Sequence, residues 1–427
     1  MKKKIEVIIK KVLEEIEPPK EEIINIENSL REFIEKLKER IRKTKINADI
    51  FVGGSYAKKT LIKKGKYDID IFLRFEKNYK GKEISYITKK ILEGFTNLSE
   101  VHGSRNYFRV DGGENFFFEI IPVIKIKKPE EAENITDLSY SHVQYIKKRL
   151  KSKKIIDDVK TAKAFCYAKN CYGAESYIKG FSGYGIELLI HHYQGFLNFI
   201  RAISKIKEKE IIDIEKLYKN KQRILLDLNS SKLESPVILI DPTYKQRNAL
   251  AALSYETFER FKKECSEFLK NPSIESFSKK KIKLKEIKKG AEKKGFEFIL
   301  IEAKTEKQNG DIAGGKLLKF YNHLASEIEK FFEVKNKGFN YSRGETARYF
   351  FVAKRKKEIT VEGPSIKDLK NVSSFRKKHK NTFEKKGRIY AKEKINFSLE
   401  KFFNSMKKKD KKRIKEMYIS DLKKIKF

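Results

Sequence analysis

Residues 53–60 read Gly-Gly-Ser-Tyr-Ala-Lys-Lys-Thr, and residues 67–75 read Tyr-Asp-Ile-Asp-Ile-Phe-Leu-Arg-Phe. The second segment alternates apolar and charged residues, which predicts a strand with one buried face. Asp68 and Asp70 then point to the same side, with Cα atoms roughly 6–7 Å apart. Two adjacent carboxylates repel each other, and one shared divalent ion, or a bridged pair, relieves that repulsion. The first segment offers Gly53 and Gly54 for a tight turn, Ser55 as the expected cap of a following helix, and Lys58 and Lys59 just beyond it. These are the ingredients of an anion site. It is not a P-loop, because no Gly-Lys-Ser/Thr follows the glycines. Taken singly, the turn reads as an ordinary loop before a helix and the Asp-x-Asp as a solvated strand face. Their order and short separation point instead to a phosphate held beside a metal.

A third acid follows about fifty residues later. Tyr107-Phe108-Arg109-Val110, the turn Asp111-Gly112-Gly113-Glu114-Asn115 and Phe116-Phe117-Phe118-Glu119-Ile120-Ile121-Pro122 predict a hairpin. Glu119 is the one acid in its apolar run. Burying an unpaired carboxylate costs several kcal/mol or shifts its pKa, so Glu119 belongs at a wet, charged or metal-bearing place. An edge strand with Glu119 facing solvent is the simpler alternative for this segment alone.

The order Gly-Ser, Asp-x-Asp, then a third acid on a later strand resembles the nucleotidyltransferase superfamily of DNA polymerase β. The closer resemblance is to the archaeal, class I CCA-adding enzymes, whose motif reads like Gly-Ser-Tyr-Ala-Arg-x-Thr followed by Asp/Glu-x-Asp-Val-Phe. Ser139-Tyr140-Ser141-His142 stands where that family has a Thr-Pro-Phe-His-like segment. Tyr172-Gly173-Ala174-Glu175, Lys179-Gly180-Phe181-Ser182-Gly183-Tyr184, Glu187-Leu188-Leu189 and Asp241-Pro242 with Arg247-Asn248-Ala249 match further landmarks. The likeness covers roughly residues 45–260 and is far more specific than the Gly-Ser and Asp-x-Asp pair, which poly(A) polymerases and oligoadenylate synthetases also carry.

This resemblance implies attack of an RNA 3′-hydroxyl on the α-phosphate of CTP or ATP, with release of pyrophosphate. One Mg²⁺ held by Asp68, Asp70 and Glu119 would lower the pKa of the hydroxyl, and a second on Asp68 and Asp70 would steady the triphosphate. The family usually has Asp where this chain has Glu119, and Arg where it has Lys58. By matching position, Gly54, Ser55 and Lys58 would meet the triphosphate, while His142, Lys163 and Tyr172 would line the nucleotide. Read alone, His142 is a helix-start histidine, Lys163 a solvated lysine and Tyr172 a core aromatic. Arg247 would present planar donors to the base edge; its plain reading is a salt bridge to Asp241. Ser182 is expected to cap the helix through Glu187, and the Phe181–Tyr184 segment to be structural. His191 and His192 lack metal spacing.

Composition agrees with an RNA partner. Lys plus Arg number 98 against 59 acids, a net charge of +39, and such a field attracts a polyanion in a salt-dependent way. AT-rich codon usage or thermophile surface chemistry also produces lysine runs, so the charge supports nucleic acid without proving it. At 427 residues the chain exceeds one ordinary core, and roughly two to four domains are expected. Cys166, Cys171 and Cys265 lack zinc spacing and read as reduced thiols. No signal peptide or apolar run of membrane length is present, so a cytoplasmic protein with no membrane contact is expected.

The elements that must position these residues follow from punctuation. An amphipathic first helix stops near Pro18-Pro19, a second runs over 21–42, and a strand over 48–52 leads into the catalytic block. Residues 136–269 read as mostly helical, with an apolar strand at 236–240. Beyond Pro272 the pattern gives a basic helix over 279–294, strands over 296–303 and 348–353, a helix over 317–332, a break at Gly363-Pro364 and a basic helical tail to the end. The expected fold class is α+β: a polymerase β-like head with a mixed sheet and flanking helices (1–135), a mainly helical neck selecting the base (136–270), and a basic α+β body and tail gripping the tRNA acceptor end (271–427). The oligomeric state is open, a homodimer included. The alternatives are a poly(A) or oligoadenylate-type polymerase and a non-catalytic basic RNA-binding protein.

Overall fold

The structure, a computed structural model, describes residues 2–426 apart from 64, 80, 104, 280, 281 and 307. The chain divides into two compact units, Met1–Lys280 and Lys281–Phe427.

The first unit holds a five-stranded mixed sheet: β1 (Ala48–Val52), β2 (Tyr67–Phe75), β3 (Ser99–Val101), β4 (Tyr107–Gly113) and β5 (Phe116–Ile124), in the order β1-β2-β5-β4-β3. β2 and β5 are parallel neighbours at its centre, and the other pairs are antiparallel. The alternation of β2 holds: Tyr67, Ile69, Ile71, Leu73 and Phe75 are fully buried, whereas Asp68, Asp70 and Arg74 on the other face are half-buried. The buried face is covered by the helix Lys20–Thr44, which turns Ile26, Leu30, Phe33, Leu37 and Ile41 inward at helical spacing. Phe33 stacks on Phe118 of β5 at a centroid distance of 4.5 Å.

A second cluster in the same unit is helical. Helices Lys153–Ala168, Gly183–Tyr193, Phe196–Lys205 and Tyr255–Lys270 meet around Phe165, Phe181, Phe196, Phe199 and Phe261. Ser182 caps the second of them, its Oγ accepting the Gly185 N–H at 3.0 Å. The first helix, Lys2–Ile16, inserts Ile5, Ile8 and Val12 into this helical cluster and not into the core beneath the sheet. A small sheet of β6 (Glu210–Ile212), β7 (Val237–Asp241) and β8 (Tyr244–Asn248) flanks it. Only β7 is legible as a strand in the sequence; β6 has three residues, and β8 is too polar to show a period. The three cysteines are buried and free.

The second unit carries more strand than its sequence suggests. β9 (Glu297–Thr305), β10 (Phe332–Tyr341), β11 (Thr346–Arg355) and, later in the chain, Ile419–Lys424 form an antiparallel sheet, crossed by the helix Gly310–Phe331. That helix begins seven residues before the expected start because Gly310, Gly314 and Gly315 depress its local propensity, while buried Ala313 and Gly314 pack it in place. β10 is missed because a register shift between Val334 and Asn336 breaks its alternation. The expected chain break and helical tail are corrected: β12 (Glu358–Ser365) runs through Gly363-Pro364, and with β13 (Thr382–Lys385) and β14 (Arg388–Lys394) makes a second sheet. β12 is an edge strand with a register shift between Glu362 and Ser365, the setting in which a strand tolerates proline. The strand Ile419–Lys424, β15, also lies at an edge, where lysines mask its period.

Candidate active site

The entry to the site is a turn closed on a carboxylate. β1 ends at Val52, and the Gly53 N–H donates to the Asp70 carbonyl at 2.9 Å. Gly54 has φ +61°, and a Cβ there would lie 1.6 Å from Asp70 Oδ2. Only glycine fits that position. The helix that follows is a single turn, Gly54–Ala57, with Gly53 at its cap and no side-chain capping bond. Ser55 is therefore inside the turn and does not cap it. The two glycines are committed to folding back against Asp70, which starts the turn two residues earlier than a serine cap would.

Asp68 and Asp70 lie on the sheet face opposite the core. The parallel register sets Asp70 beside Glu119, and the antiparallel register sets Glu119 beside Arg109. β5 is a central strand, so Glu119 does not sit on a solvated edge; its side chain is 14% exposed. Arg109 Nε and Nη2 donate to Glu119 Oε1 at 2.9 and 2.7 Å. Among the described residues no three His, Cys, Asp or Glu side chains are gathered to hold a metal. The Asp pair fits a divalent cation by donor type, while Glu119 is drawn toward Arg109.

Next to this face stands a buried ionic cluster around Glu187, which is fully buried in the helix Gly183–Tyr193. Its Oε2 accepts from Lys58 Nζ at 2.6 Å, and its Oε1 from Lys163 Nζ at 2.8 Å and Thr60 Oγ1 at 3.0 Å. Lys163 also donates to Thr60 Oγ1 at 2.7 Å. Lys163 is thus a buried, paired lysine and not a solvated one. Burial would raise the Glu187 carboxyl, but Lys163 and Lys58 outweigh it and hold the pKa at about 2. Tyr172 abuts the same cluster: a Cβ on Gly183 would come within 3.0 Å of its hydroxyl and 4.0 Å of Lys163 Cε. Burial, then the carboxylates of Glu187 and Asp68, push the Tyr172 phenol up, which ties this ring to both the cluster and β2.

A second buried carboxylate, Asp241 at the end of β7, organises the other side. Its Oδ2 accepts from Arg247 Nη1 at 2.6 Å and lies 2.9 Å from His142 Nε2; its Oδ1 accepts from the Tyr184 hydroxyl at 2.9 Å and from Thr243 N and Oγ1 at 2.8 Å. Burial opposes ionisation of Asp241, yet His142 and Arg247 hold its pKa well below the usual carboxylate range. Burial lowers the His142 pKa, and Arg247 and Lys58 push the same way against Asp241. At neutral pH the imidazole is neutral, and since an ionised Asp241 can only accept, Nε2–H is the donor. His142 stacks on Tyr184 at 4.1 Å, and the Arg247 guanidinium lies 5.7 Å from that ring's centre.

Comparison with known proteins shows the family. A model of the second domain of tRNA nucleotidyltransferase matches residues 157–278, and a nucleotidyltransferase domain model matches residues 30–162. The CCA-adding enzyme of Nanoarchaeum equitans is 36% identical over 82% of this chain and 85% of its own length. The chain belongs to the CCA-adding enzyme family. The Methanocaldococcus jannaschii member is 32% identical, covering 91% of this chain and 87% of that protein. Among solved structures, a cytoplasmic RNA terminal U-transferase aligns with a TM-score of 0.50 at 15% identity over 66% of this chain and all of that one. The Cid1 poly(U) polymerase gives 0.50 at 14% identity, over 64% and 98%. Those two likenesses concern the fold alone, and they agree with the mixed α+β head expected from the sequence.

Most of the residues that meet here are legible in the sequence: Asp68, Asp70 and Glu119 on the sheet with Gly54 in the turn against Asp70, Lys58, Lys163 and Tyr172 around Glu187, and His142 and Arg247 around Asp241. The Arg247–Asp241 pair of the plain reading is present, and the Phe181–Tyr184 segment does more than cap a helix, because Tyr184 bonds Asp241. Glu187 escaped a role, although a single acid in the apolar run Gly185-Ile186-Glu187-Leu188-Leu189 gives the same signal that singled out Glu119.

Two outcomes test this geometry. Gly54→Ala should displace the Asp70 carboxylate and lower the turnover number at least ~100-fold, since small misplacements of reacting groups carry penalties of this order; a variant with near-native turnover would refute the close approach. Glu187→Gln should destabilise the first unit by about 3–5 kcal/mol at pH 7, as removal of one member of a buried ionic group does. The folded pKa of Glu187 lies below its ordinary 4.5, so its contribution is complete above that value and is lost as pH falls toward 2. Urea midpoints measured from pH 7 to 2 should accordingly fall more steeply for the native chain than for the variant.

Proposed function

We propose that Asp68 and Asp70, completed by Glu119, carry the transfer by which this CCA-adding enzyme builds or repairs the 3′-terminal CCA of tRNA from CTP and ATP. The supporting observation is the approach of the Gly54 turn to Asp70, which sets an Asp-x-Asp face beside a buried cluster with two lysines. The bond formed joins the RNA 3′ oxygen to the α-phosphorus, and the bond broken joins the α-phosphorus to the oxygen that departs with pyrophosphate. A divalent ion is expected of this family and Mg²⁺ is the proposed one; bound to these carboxylates it would acidify the attacking hydroxyl and neutralise the leaving charge.

The chain's own groups then divide the remaining work. Lys58 and Lys163 present positive charge to the triphosphate, with Gly54 and Ser55 at the turn beside it. Tyr172 and His142 wall the sugar and phosphates, the neutral His142 ring being fixed by Asp241 and Tyr184. Arg247, one end of which is held by Asp241, offers planar donors to the base edge and so takes part in choosing C or A without a template. All these groups come from one chain, so the chemistry itself requires no second copy, and a homodimer is a separate proposal. The catalytic head, the base-selecting helical region and the basic second unit divide the labour, the last meeting the tRNA acceptor end by charge. Among the described residues no helix is long and apolar enough to cross a membrane, and three buried free thiols suit a reducing cytoplasm.

Incubated with Mg²⁺ and a tRNA lacking its 3′ end, the protein should complete CCA only when CTP and ATP are both supplied. A long A tail would select a poly(A)-type polymerase, and no product a binding protein. In the same assay Asp68→Ala and Asp70→Ala should each reduce addition by at least ~10³-fold, with tRNA affinity in a gel-shift titration changed less than about twofold. Arg247→Ala should erode the preference for CTP and ATP over UTP by roughly tenfold or more; unchanged discrimination would remove it from base selection.

A further inference from the structure

We propose that Arg109 is a latch on Glu119: it holds the third carboxylate away from Asp68 and Asp70 until a divalent cation competes for it. The inference rests on the reading of Glu119 as a metal ligand. Asp70, Glu119 and Arg109 occupy one rung across β2, β5 and β4, as successive register partners. All three side chains therefore rise from the same face, on strands about 5 Å apart. Glu119 stands in the middle, with a carboxylate on one side and a guanidinium on the other.

In the structure the guanidinium has it. Both Nε and Nη2 of Arg109 converge on Glu119 Oε1, at 2.9 and 2.7 Å. Arg109 is no loose surface cation: its guanidinium carbon lies 4.7 Å from the centre of the Phe117 ring and 5.8 Å from that of Tyr107, which flank the rung along the same face. Side-chain length matters here. Glutamate has one more rotatable bond than aspartate, so from one Cα it can turn toward either neighbour. An aspartate rooted at this position has less reach, and the pairing of a long acid with a boxed arginine is what makes two positions available.

A cation on Asp68 and Asp70 changes the balance. It offers Glu119 a partner of higher charge than the guanidinium. Only the unlatched fraction of Glu119 completes the site, so the apparent metal affinity is weakened by the reciprocal of that fraction. Arg109 is thus a positioning residue that acts through Glu119 and tunes the concentration of metal at which the site assembles.

The test uses the full chain with Mn²⁺ alone, without nucleotide or RNA, and reads free Mn²⁺ by electron paramagnetic resonance for the native protein, Arg109→Gln, Glu119→Ala and the double variant. Arg109→Gln should lower the apparent Kd roughly three- to tenfold, and Glu119→Ala should raise it. In the Glu119→Ala background the Arg109 substitution should change Kd less than about twofold, because the latch then has nothing to hold. Equal tightening in both backgrounds would mean a plain charge effect and would overturn the latch, as would no tightening in either. A Glu119→Ala variant with native Mn²⁺ affinity would instead remove the ligand reading, and the latch with it. Circular dichroism reports whether each variant is folded. Should Arg109→Gln not fold, Arg109→Lys carries the same cycle, since a point charge cannot reproduce the two-nitrogen grip.

Discussion

Burial of Glu187 is the constraint on which the site depends. A carboxylate with no solvent exposure must find partners, and this one draws them from well-separated stretches: Lys58 and Thr60 just past the glycine turn, and Lys163 from a helix in the other half of the unit. The loop after Gly54 is thereby pinned to the helical cluster, and the turn is pressed against Asp70. A buried ionic group is weak evidence of stability, because packed apolar side chains can replace it at no loss. Its value here is positional. One carboxylate holds two lysines, so the cluster keeps a net positive charge where a triphosphate is proposed to lie, although Lys163 spends its donors on Glu187 and Thr60.

Asp241 solves the same burial problem with a different set of partners. It collects one guanidinium, a neutral imidazole, a phenol, a threonine hydroxyl and a backbone N–H, and the group as a whole carries little net charge. The wall of the site therefore grades from two carboxylates on β2, through a positive cluster at Glu187, to a nearly neutral, hydrogen-bonded patch at Asp241. Metal, phosphates and base have different electrostatic needs, and under the proposed function they would fall along this gradient in that order. Rigid donors fixed before the substrate arrives need little reorganisation when charge develops.

How much of this is legible in the sequence depends on whether the signal is local. The span of β2, the β4–β5 hairpin, the Ser182 cap and the first two helices follow from periodicity and punctuation, which are properties of adjacent residues. Glu187 and Asp241 show themselves only as acids in apolar surroundings; their partners lie far along the chain, and no spacing rule connects them. Ser55 illustrates a local rule overridden: a good capping residue sits inside the turn because Gly53 and Gly54 are committed to Asp70. In the second unit the signal itself is broken, by the bulge in β10, by glycines at the start of the helix Gly310–Phe331, and by lysines on β15. A bulge and a charged edge are normal features of sheets, and both erase the alternation by which strands are recognised.

The register of the central strands joins the core to the chemistry. Phe118 is buried against Phe33 on one face of β5, and its neighbour Glu119 therefore points to the other. Successive side chains in a strand alternate faces, so a slip of one residue between β5 and its partners would invert both assignments. Phe118 would then leave the core, and Glu119 would enter it among Ile69, Ile71 and Phe33, where an unpaired carboxylate costs several kcal/mol. The same slip on β2 would bury Asp68 and Asp70. Hydrophobic packing under the sheet thus excludes every odd-numbered slip away from the register that sets Asp70, Glu119 and Arg109 on a common rung. The positions of these three charged groups are determined by apolar residues on the opposite face of the sheet.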